Sequence, residues 1–386
     1  MGCTDRFRYI PGYDFGDSNE GLHLIDISDP REPVLLSPSP LLERRNTSHS
    51  YGGVDEISLV EGGTFFGGNW SDNEYHVGTV DFSNEQPWEV EIPCGWATDC
   101  FYSFCSFRTA DLATSGTRTV RVELYRGRYE DVPSSDSEVC LCSVPDDPCD
   151  CFRSAFRTEN QQVLTGVDII GDIVFLSGST RSDLPTGLHI FRIVGEKLIP
   201  ISSIETGGTA EKVKVVDNYA FVADGDNGLT VVDWFDPYCP KVVGRVDTPG
   251  RAINLALAKR QEDVVVSMGE SGVALVGIEY PWAPTLDDSF DTPGYARSAQ
   301  VEGRYIYVAD GNEGLLVLRS RSSYPRTESP SPPTFEPPCD LDVRPGWGDG
   351  LTDSHDLLGW MDRIRKDEVD SQNLFVFARD WKRVTE

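Results

Sequence analysis

Apolar and polar positions alternate in short runs along most of this chain. In RAINLALAK, Ile253, Leu255 and Leu257 fall on one face of an extended segment. DVVVSM, from Asp263 to Met268, is apolar almost throughout, as expected of a strand covered on both faces. GESG makes a turn, VALVGIEYP is a further strand, and PTLDDSFDTPG leads to the next group. The preceding stretch has the same grammar: AEKVKVVDN, YAFVADG, DNGLTVVDWFDP and KVVGRVDTPG. Four short strands joined by Gly- and Asp-rich turns are predicted in each group.

The groups repeat. YAFVADGDNGLTVVD begins at Tyr219 and YIYVADGNEGLLVL begins at Tyr305, 86 residues later. Gly-apolar pairs at Gly187, Gly228, Gly272 and Gly314 step by 41, 44 and 42 residues. A period of about 43 residues in a strand-rich chain is the spacing of a four-stranded propeller blade. Such a blade is too small to bury a core alone, so repetition lets each sheet cover its neighbour. Earlier units are more eroded: Gly21 to Leu36, Tyr51 to Ile92, and Thr165 to Ile201. The stretch FRTADLATSGTRTVRVELYRGRYEDV reads as a degenerate blade or as an insertion, so the expected ring has six to seven blades. The first unit lacks its opening strand and the last, ending near Ser320, its closing one.

YAFVADGDNGLTVVDWFDP, YIYVADGNEGLLVL and GLHLIDISDPREPVLL resemble the LVIVD-repeat family. The resemblance covers roughly Met1 to Ser320 and is weak from Cys94 to Glu159. It implies a β-propeller in a surface-associated protein and no defined catalytic residues. The predicted fold is therefore all-β: a propeller over residues 1–320, with a Cys-rich insertion at about 131–158.

Composition sharpens the picture. The net charge is −29, from 34 basic and 63 acidic residues. That surface repels phosphate backbones and anionic lipid, so a nucleic-acid partner is not expected. No run of 18 apolar residues exists, and no membrane span is expected. Ten Cys occur, seven of them between Cys94 and Cys151. A disulfide-stapled loop is the plain reading; zinc is the alternative, although C-x-C pairs without His suit it poorly. This Cys usage points to an extracellular or cell-surface location, with an export signal upstream of Met1.

After Ser320 the pattern changes. Residues 321–340 are rich in Pro and Ser and read as a linker. In DSHDLLGWMDRIRKDE, Leu357, Leu358, Met361 and Ile364 have helical spacing, and DSQNLFVFARDWKR repeats the theme. Ahead of them, Asp349, Gly350, Asp353 and Asp356 keep the offsets of a calcium loop. The carbonyl of Leu351 fills the backbone position, and Asp342 is the first ligand, seven residues before Asp349 rather than four. Residues 341–386 thus resemble a dockerin module, a pair of short helices. The resemblance implies calcium as cofactor and a cohesin-like or sorting partner. An acidic first turn serving the helix dipole explains Asp353 and Asp356 equally well.

For catalysis the sequence offers little. His23 and His189 share one repeat position, where Thr230 and Leu316 stand in other units. Asp224 and Asp310 recur at equivalent turns, which favours a structural role. No G-x-S-x-G, H-E-x-x-H or P-loop is present. The function expected is non-catalytic binding of a protein or glycan at the cell surface, through loops on one propeller face. The Cys-rich loop and GNWSDNEY (Gly68 to Tyr75) are candidate contacts. The alternative is a secreted propeller hydrolase or lyase acting on a polysaccharide or other polymer.

Overall fold

The computed structural model of the chain describes residues 7–11, 22–35, 53–60, 63–69, 74–80, 90–97, 106–116, 118–126, 137–143, 154–157, 162–180, 187–258 and 263–320. These residues form seven antiparallel sheets. The first has three strands: β1 (Phe7–Pro11), β2 (Leu22–Asp26) and β3 (Val34–Leu35). The second holds β4 (Gly53–Val60), β5 (Gly63–Asn69), β6 (Glu74–Val80) and β7 (Val90–Ala97). The third holds β8 (Ser106–Ser115), β9 (Arg118–Arg126), β10 (Ser137–Ser143) and β11 (Ser154–Arg157). The fourth holds β12 (Gln162–Ile170), β13 (Ile173–Thr180), β14 (Gly187–Val194) and β15 (Lys197–Glu205). The fifth holds β16 (Lys212–Val216), β17 (Tyr219–Ala223), β18 (Leu229–Asp233) and β19 (Lys241–Val246). The sixth holds β20 (Asn254–Leu257), β21 (Asp263–Ser267), β22 (Val273–Gly277) and β23 (Thr285–Phe290). The last has three strands: β24 (Ser298–Glu302), β25 (Tyr305–Ala309) and β26 (Leu315–Arg319).

Every strand pairs with its neighbour in sequence, so each sheet is a meander. The stretch that reads as blade or insertion is the third sheet, and its β10 and β11 lie within residues 131–158. The one helical element among the described residues is a single 3-10 turn, Gly311–Glu313. The linker at 321–340 and the helices expected at 341–386 lie outside the described residues.

Both faces of a sheet are apolar because it has a neighbour on each side. Successive residues of a strand point to opposite faces. In β13, Val174 and Leu176 pack toward the third sheet, against Val120, Val122 and Val139. Phe175 points the other way and packs with Val213, Val215 and Val222 of the fifth sheet. The fifth meets the sixth through Phe221 and Val231 against Leu255, Val264 and Val266. Val265 and Val273 then meet Ala299, Val301 and Val308 of the last sheet. Gly228, at a φ of 71°, turns the β17–β18 hairpin tightly; a Cβ there would lie 2.4 Å from the Val246 carbonyl oxygen.

The stack returns to its start. Ile25 and Ile27 of the first sheet bury against Tyr307, with Tyr305, Leu315 and Val317 of the last sheet around them. By repeat position, Ile25 and Ile27 are Val232 and Trp234, and Tyr305, Tyr307, Leu315 and Val317 are Ile173, Phe175, Leu188 and Ile190. Those counterparts join the fourth sheet to the fifth. The first sheet therefore follows the last as the fifth follows the fourth.

Tyr307 is 1% exposed at this closing contact. Tyr307→Ala is expected to destabilise the chain by about 3–5 kcal/mol, as for other buried aromatic truncations. Denaturant unfolding followed by tryptophan fluorescence measures this. A loss below about 1 kcal/mol would show that the closing contact is not part of the cooperative core.

Candidate functional site

The first strands of consecutive sheets pack side by side, and acidic side chains pin them together. Asp111 of β8 accepts the amide of its own neighbour Leu112 at 3.0 Å. Its other oxygen accepts the amide of Val167 in β12 at 2.8 Å. Asp168 of β12 repeats the device, accepting Ile169 N at 3.0 Å and Val215 N of β16 at 2.6 Å. Asn254 of β20 accepts Leu255 N at 2.7 Å. Lys212 of β16 reaches past the fourth sheet to Asp111, 2.8 Å away, and to the Ala110 carbonyl, 2.9 Å away. Burial pushes the Asp168 carboxyl up, partly offset by the nearby Lys214 ammonium. Sequence reasoning missed these residues. Their signal is a lone acid between apolar neighbours, V-D-I in β12 and A-D-L in β8.

A second set of acids holds the opposite ends of the second strands. Asp224 follows β17 and is fully buried. Thr206 Oγ1 donates to its Oδ1 at 2.6 Å, and Thr230 Oγ1 to its Oδ2 at 3.0 Å. Asp310, equally buried, accepts Thr292 Oγ1 at 2.6 Å and Gly294 N at 2.9 Å. Burial raises the Asp224 carboxyl, and the threonine hydroxyls pull it back. The sixth sheet breaks the rule with Met268, 3% exposed, at the same position. Its would-be partner Thr248 donates instead to the Gly250 carbonyl at 2.7 Å. The turn role expected for Asp224 and Asp310 is what these contacts provide.

Of the histidines, His189 has a described side chain. It lies in β14 opposite Leu176 and Ser203, and desolvation lowers its pKa to about 4. It is neutral in the fold and a poor proton donor near pH 7. His23 sits in β2 by register with Ile10. The side chains of His23, His49, His76 and His355 lie outside the described residues, as do Asp342, Asp349, Leu351, Asp353 and Asp356. Cys140 of β10 is a buried thiol, and Cys239 is disulfide-bonded.

The ends of the second strands and the starts of the third share one end of the sheets. There the backbones of adjacent sheets touch: Gly225 bridges Ala252, and Gly269 bridges Ala296. Ala210, Ala252 and Ala296 occupy one repeat position and are each fully buried. The residue before each alanine differs: Thr209, Arg251, Tyr295. Arg251 donates to Glu211 Oε1 at 2.5 Å and to Thr209 Oγ1 at 3.0 Å, and lies 3.8 Å from Asp226. Arg297 lies over the exposed Tyr295 ring, 5.2 Å from its centroid. The GNWSDNEY segment joins β5 to β6, the same connection in the repeat, although residues 70–73 lie outside the described residues.

Residues 15–38, 207–248 and 293–318 match the LVIVD repeat family. The sheet architecture is that of β-propellers. A putative 6-phosphogluconolactonase from Bacteroides uniformis is similar in fold, with a TM-score of 0.58 at 11% identity, over 82% of this chain and 92% of that one. The C-terminal WD40 domain of Sif2 gives a TM-score of 0.51 at 10% identity, over 83% and 93%. A chain of the mitotic checkpoint complex gives 0.51 at 10% identity, over 78% and 82%. These likenesses establish fold and nothing about activity. No protein of curated function matches this chain.

Two outcomes are expected. Asp224→Ala leaves two buried hydroxyls without their acceptor and costs about 1–3 kcal/mol. A double-mutant cycle with Thr206→Val should be non-additive; additive costs would mean that the hydrogen bond contributes nothing. For His189, the folded pKa lies below the unfolded one, so the unfolded chain takes up the proton first as pH falls. Stability assigned to His189 is therefore present above about pH 6.5 and lost on descending toward pH 4. The stability difference between wild type and His189→Thr, measured by denaturation across this window, should change with pH; a constant difference would contradict the assignment.

Proposed function

We propose that this chain is an exported, non-catalytic binding module. Its seven sheets are the blades of one closed propeller. The loops at the Gly225–Ala252 end recognise a protein or glycan at the cell surface. Residues 341–386 form a calcium-binding, dockerin-like attachment, with Asp342, Asp349, Leu351, Asp353 and Asp356 as ligands and a cohesin-like or sorting partner.

One observation carries the binding reading. At that end of the sheets the buried positions repeat and the exposed ones do not. Ala210, Ala252 and Ala296 are constant, while the half-buried Thr209 and the exposed Arg251 and Tyr295 vary in size and charge. Within the turns, Gly225, Gly269 and Gly311 are constant, while Asp226, Glu270 and Asn312 vary. A framework that fixes its backbone and frees its outward side chains suits recognition of a partner. The acids Asp111, Asp168, Asp224 and Asp310 are already engaged in holding strands and turns. The tail reading is supported by its sequence spacing alone.

The binding reading is tested by screening the full chain against surface glycans and secreted proteins. A retained partner should be lost with the pair Arg251→Ala and Tyr295→Ala, at unchanged melting temperature. Turnover of a polysaccharide by the wild type would instead favour the hydrolase or lyase reading. For the tail, titration calorimetry should find one calcium bound per chain, abolished by the pair Asp349→Ala and Asp353→Ala. Absence of heat at millimolar calcium would remove the metal.

A further inference from the structure

The last sheet has three strands among the described residues, and the place of a fourth has the features of a peptide-binding edge. In the fifth sheet β18 is followed by β19, with Leu229 and Val231 opposite Val246 and Gly244. The equivalent third strand of the last sheet is β26, where Leu315 and Val317 hold those two positions. No described strand pairs with its outer side.

The main chain there has a fixed polarity. Asp310 N donates to Gly314 O at 2.8 Å, and Ser320 N to Arg304 O at 2.8 Å. Hydrogen-bonded and non-hydrogen-bonded pairs alternate along an antiparallel ladder, so Leu316 and Leu318 bond toward β25. The amides and carbonyls of Leu315, Val317 and Arg319 point the other way. β18 has the same polarity, with Asp224 N donating to Gly228 O at 2.8 Å.

The side walls agree. Val242 of β19 packs with Ile201 and Ile204 of β15, where the fourth strands of adjacent sheets meet. At the seam the counterpart of Ile204 is Phe290 of β23, and that of Val242 is Leu35 of β3. They are 49% and 50% exposed. β26 is half-buried, where β18 is buried at four of five positions. Nor does β26 have the devices that protect edge strands. β15, β19 and β23 each carry a register shift against the strand before them. The β25–β26 ladder is regular, and Leu315 to Leu318 holds no charge and no proline.

We propose that the outer edge of β26 binds an extended peptide segment of another protein by strand addition, and that this segment is apolar on both faces and basic rather than acidic. The outward main-chain groups bind any extended backbone, while Phe290 and Leu35 select apolar side chains on either face. The charge preference follows from Asp288 and Asp291, both exposed at the end of β23, and from the net charge of −29. Asp288 stands where β19 has Gly244. The sequence of β19, KVVGRV, has the required chemistry: valines on both faces, with Lys241 and Arg245. This inference rests on neither the binding reading of the Gly225–Ala252 end nor the calcium reading.

A synthetic peptide of residues 241–246, KVVGRV, added to the full chain is the probe, read by residue-resolved hydrogen exchange. At millimolar peptide the amides of Leu315, Val317 and Arg319 should slow saturably, by at least ~10-fold, with the amides of β21 unchanged as reference. N-methylation at the Gly244 or Val246 position of the peptide, whose N–H groups face the partner strand, should abolish the slowing. N-methylation at the Arg245 position should preserve it. The peptide EVVGEV should bind at least ~10-fold more weakly, and the pair Asp288→Lys and Asp291→Lys should reverse that preference. No saturable slowing would overturn the proposal, as would equal effects of the methylated peptides. So would slow exchange of the three amides without peptide. If independent of protein concentration, it would mean that the edge is satisfied within one chain; if lost on dilution, that a second copy occupies it.

Discussion

The fourth, fifth and sixth sheets of this chain each have two apolar faces and no interior. A four-stranded unit of about 40 residues cannot enclose a core, so its stability resides between units. The alternation along a strand sends Val174 and Leu176 to one neighbour and Phe175 to the other. None of these three can therefore be removed without exposing two layers. An open stack would leave its first and last faces wet, and the contact of Ile25 and Ile27 with Tyr307 removes that defect. The sharing of a repeat period by sequences otherwise so different follows from this requirement.

Apolar layers alone do not set how adjacent sheets are placed along their strands. Hydrophobic contact is non-directional, and hydrogen bonds to buried groups are not. Asp111 and Asp168 each tie an amide of the next first strand, fixing one sheet against another. Asp224 and Asp310 fix the turns, each with a threonine brought from the connection between sheets. The Met268 exception shows how the arrangement tolerates loss of an acid. Thr248 changes its acceptor to a nearby carbonyl, so neither a hydroxyl nor a carboxylate is left unsatisfied. Acids in this chain thus have two different physical roles, and a net charge of −29 does not by itself signify cation binding.

What was legible in the sequence follows the same division. Period and strand order were visible because burial on both faces writes apolar runs such as VVVSM and YAFVA. The third sheet was harder. Its β8 carries Arg108 and its β9 carries Arg118, Arg121 and Arg126 among their apolar residues, and a long connection separates β10 from β11. The turn role of Asp224 and Asp310 was readable because both stand at equivalent places beside glycine. The role of Asp111 and Asp168 was not, because their partners are main-chain amides 56 and 47 residues away, which leave no trace in side-chain identity. His189 shared a repeat position with Thr230, and that equivalence correctly located it on a strand; its depressed basicity depends on enclosure, which periodicity does not report.

The division also bears on where new function can arise. A buried position at the sheet ends is locked by its neighbours: a Cβ on Gly225 would meet Thr209 Oγ1 at 1.9 Å, and Ala252 has no exposed surface. The residues just before those alanines are less constrained, and there Thr209, Arg251 and Tyr295 differ in size and charge. At the seam, by contrast, both constraints relax together. β23 and β26 keep the framework of a complete unit, yet the residues that elsewhere cover it are not fixed by the repeat. Among the described residues the outward edge of β26 has no partner strand, and Leu286 and Phe290 of β23 are exposed beside it; such edges favour association with other chains unless they are protected.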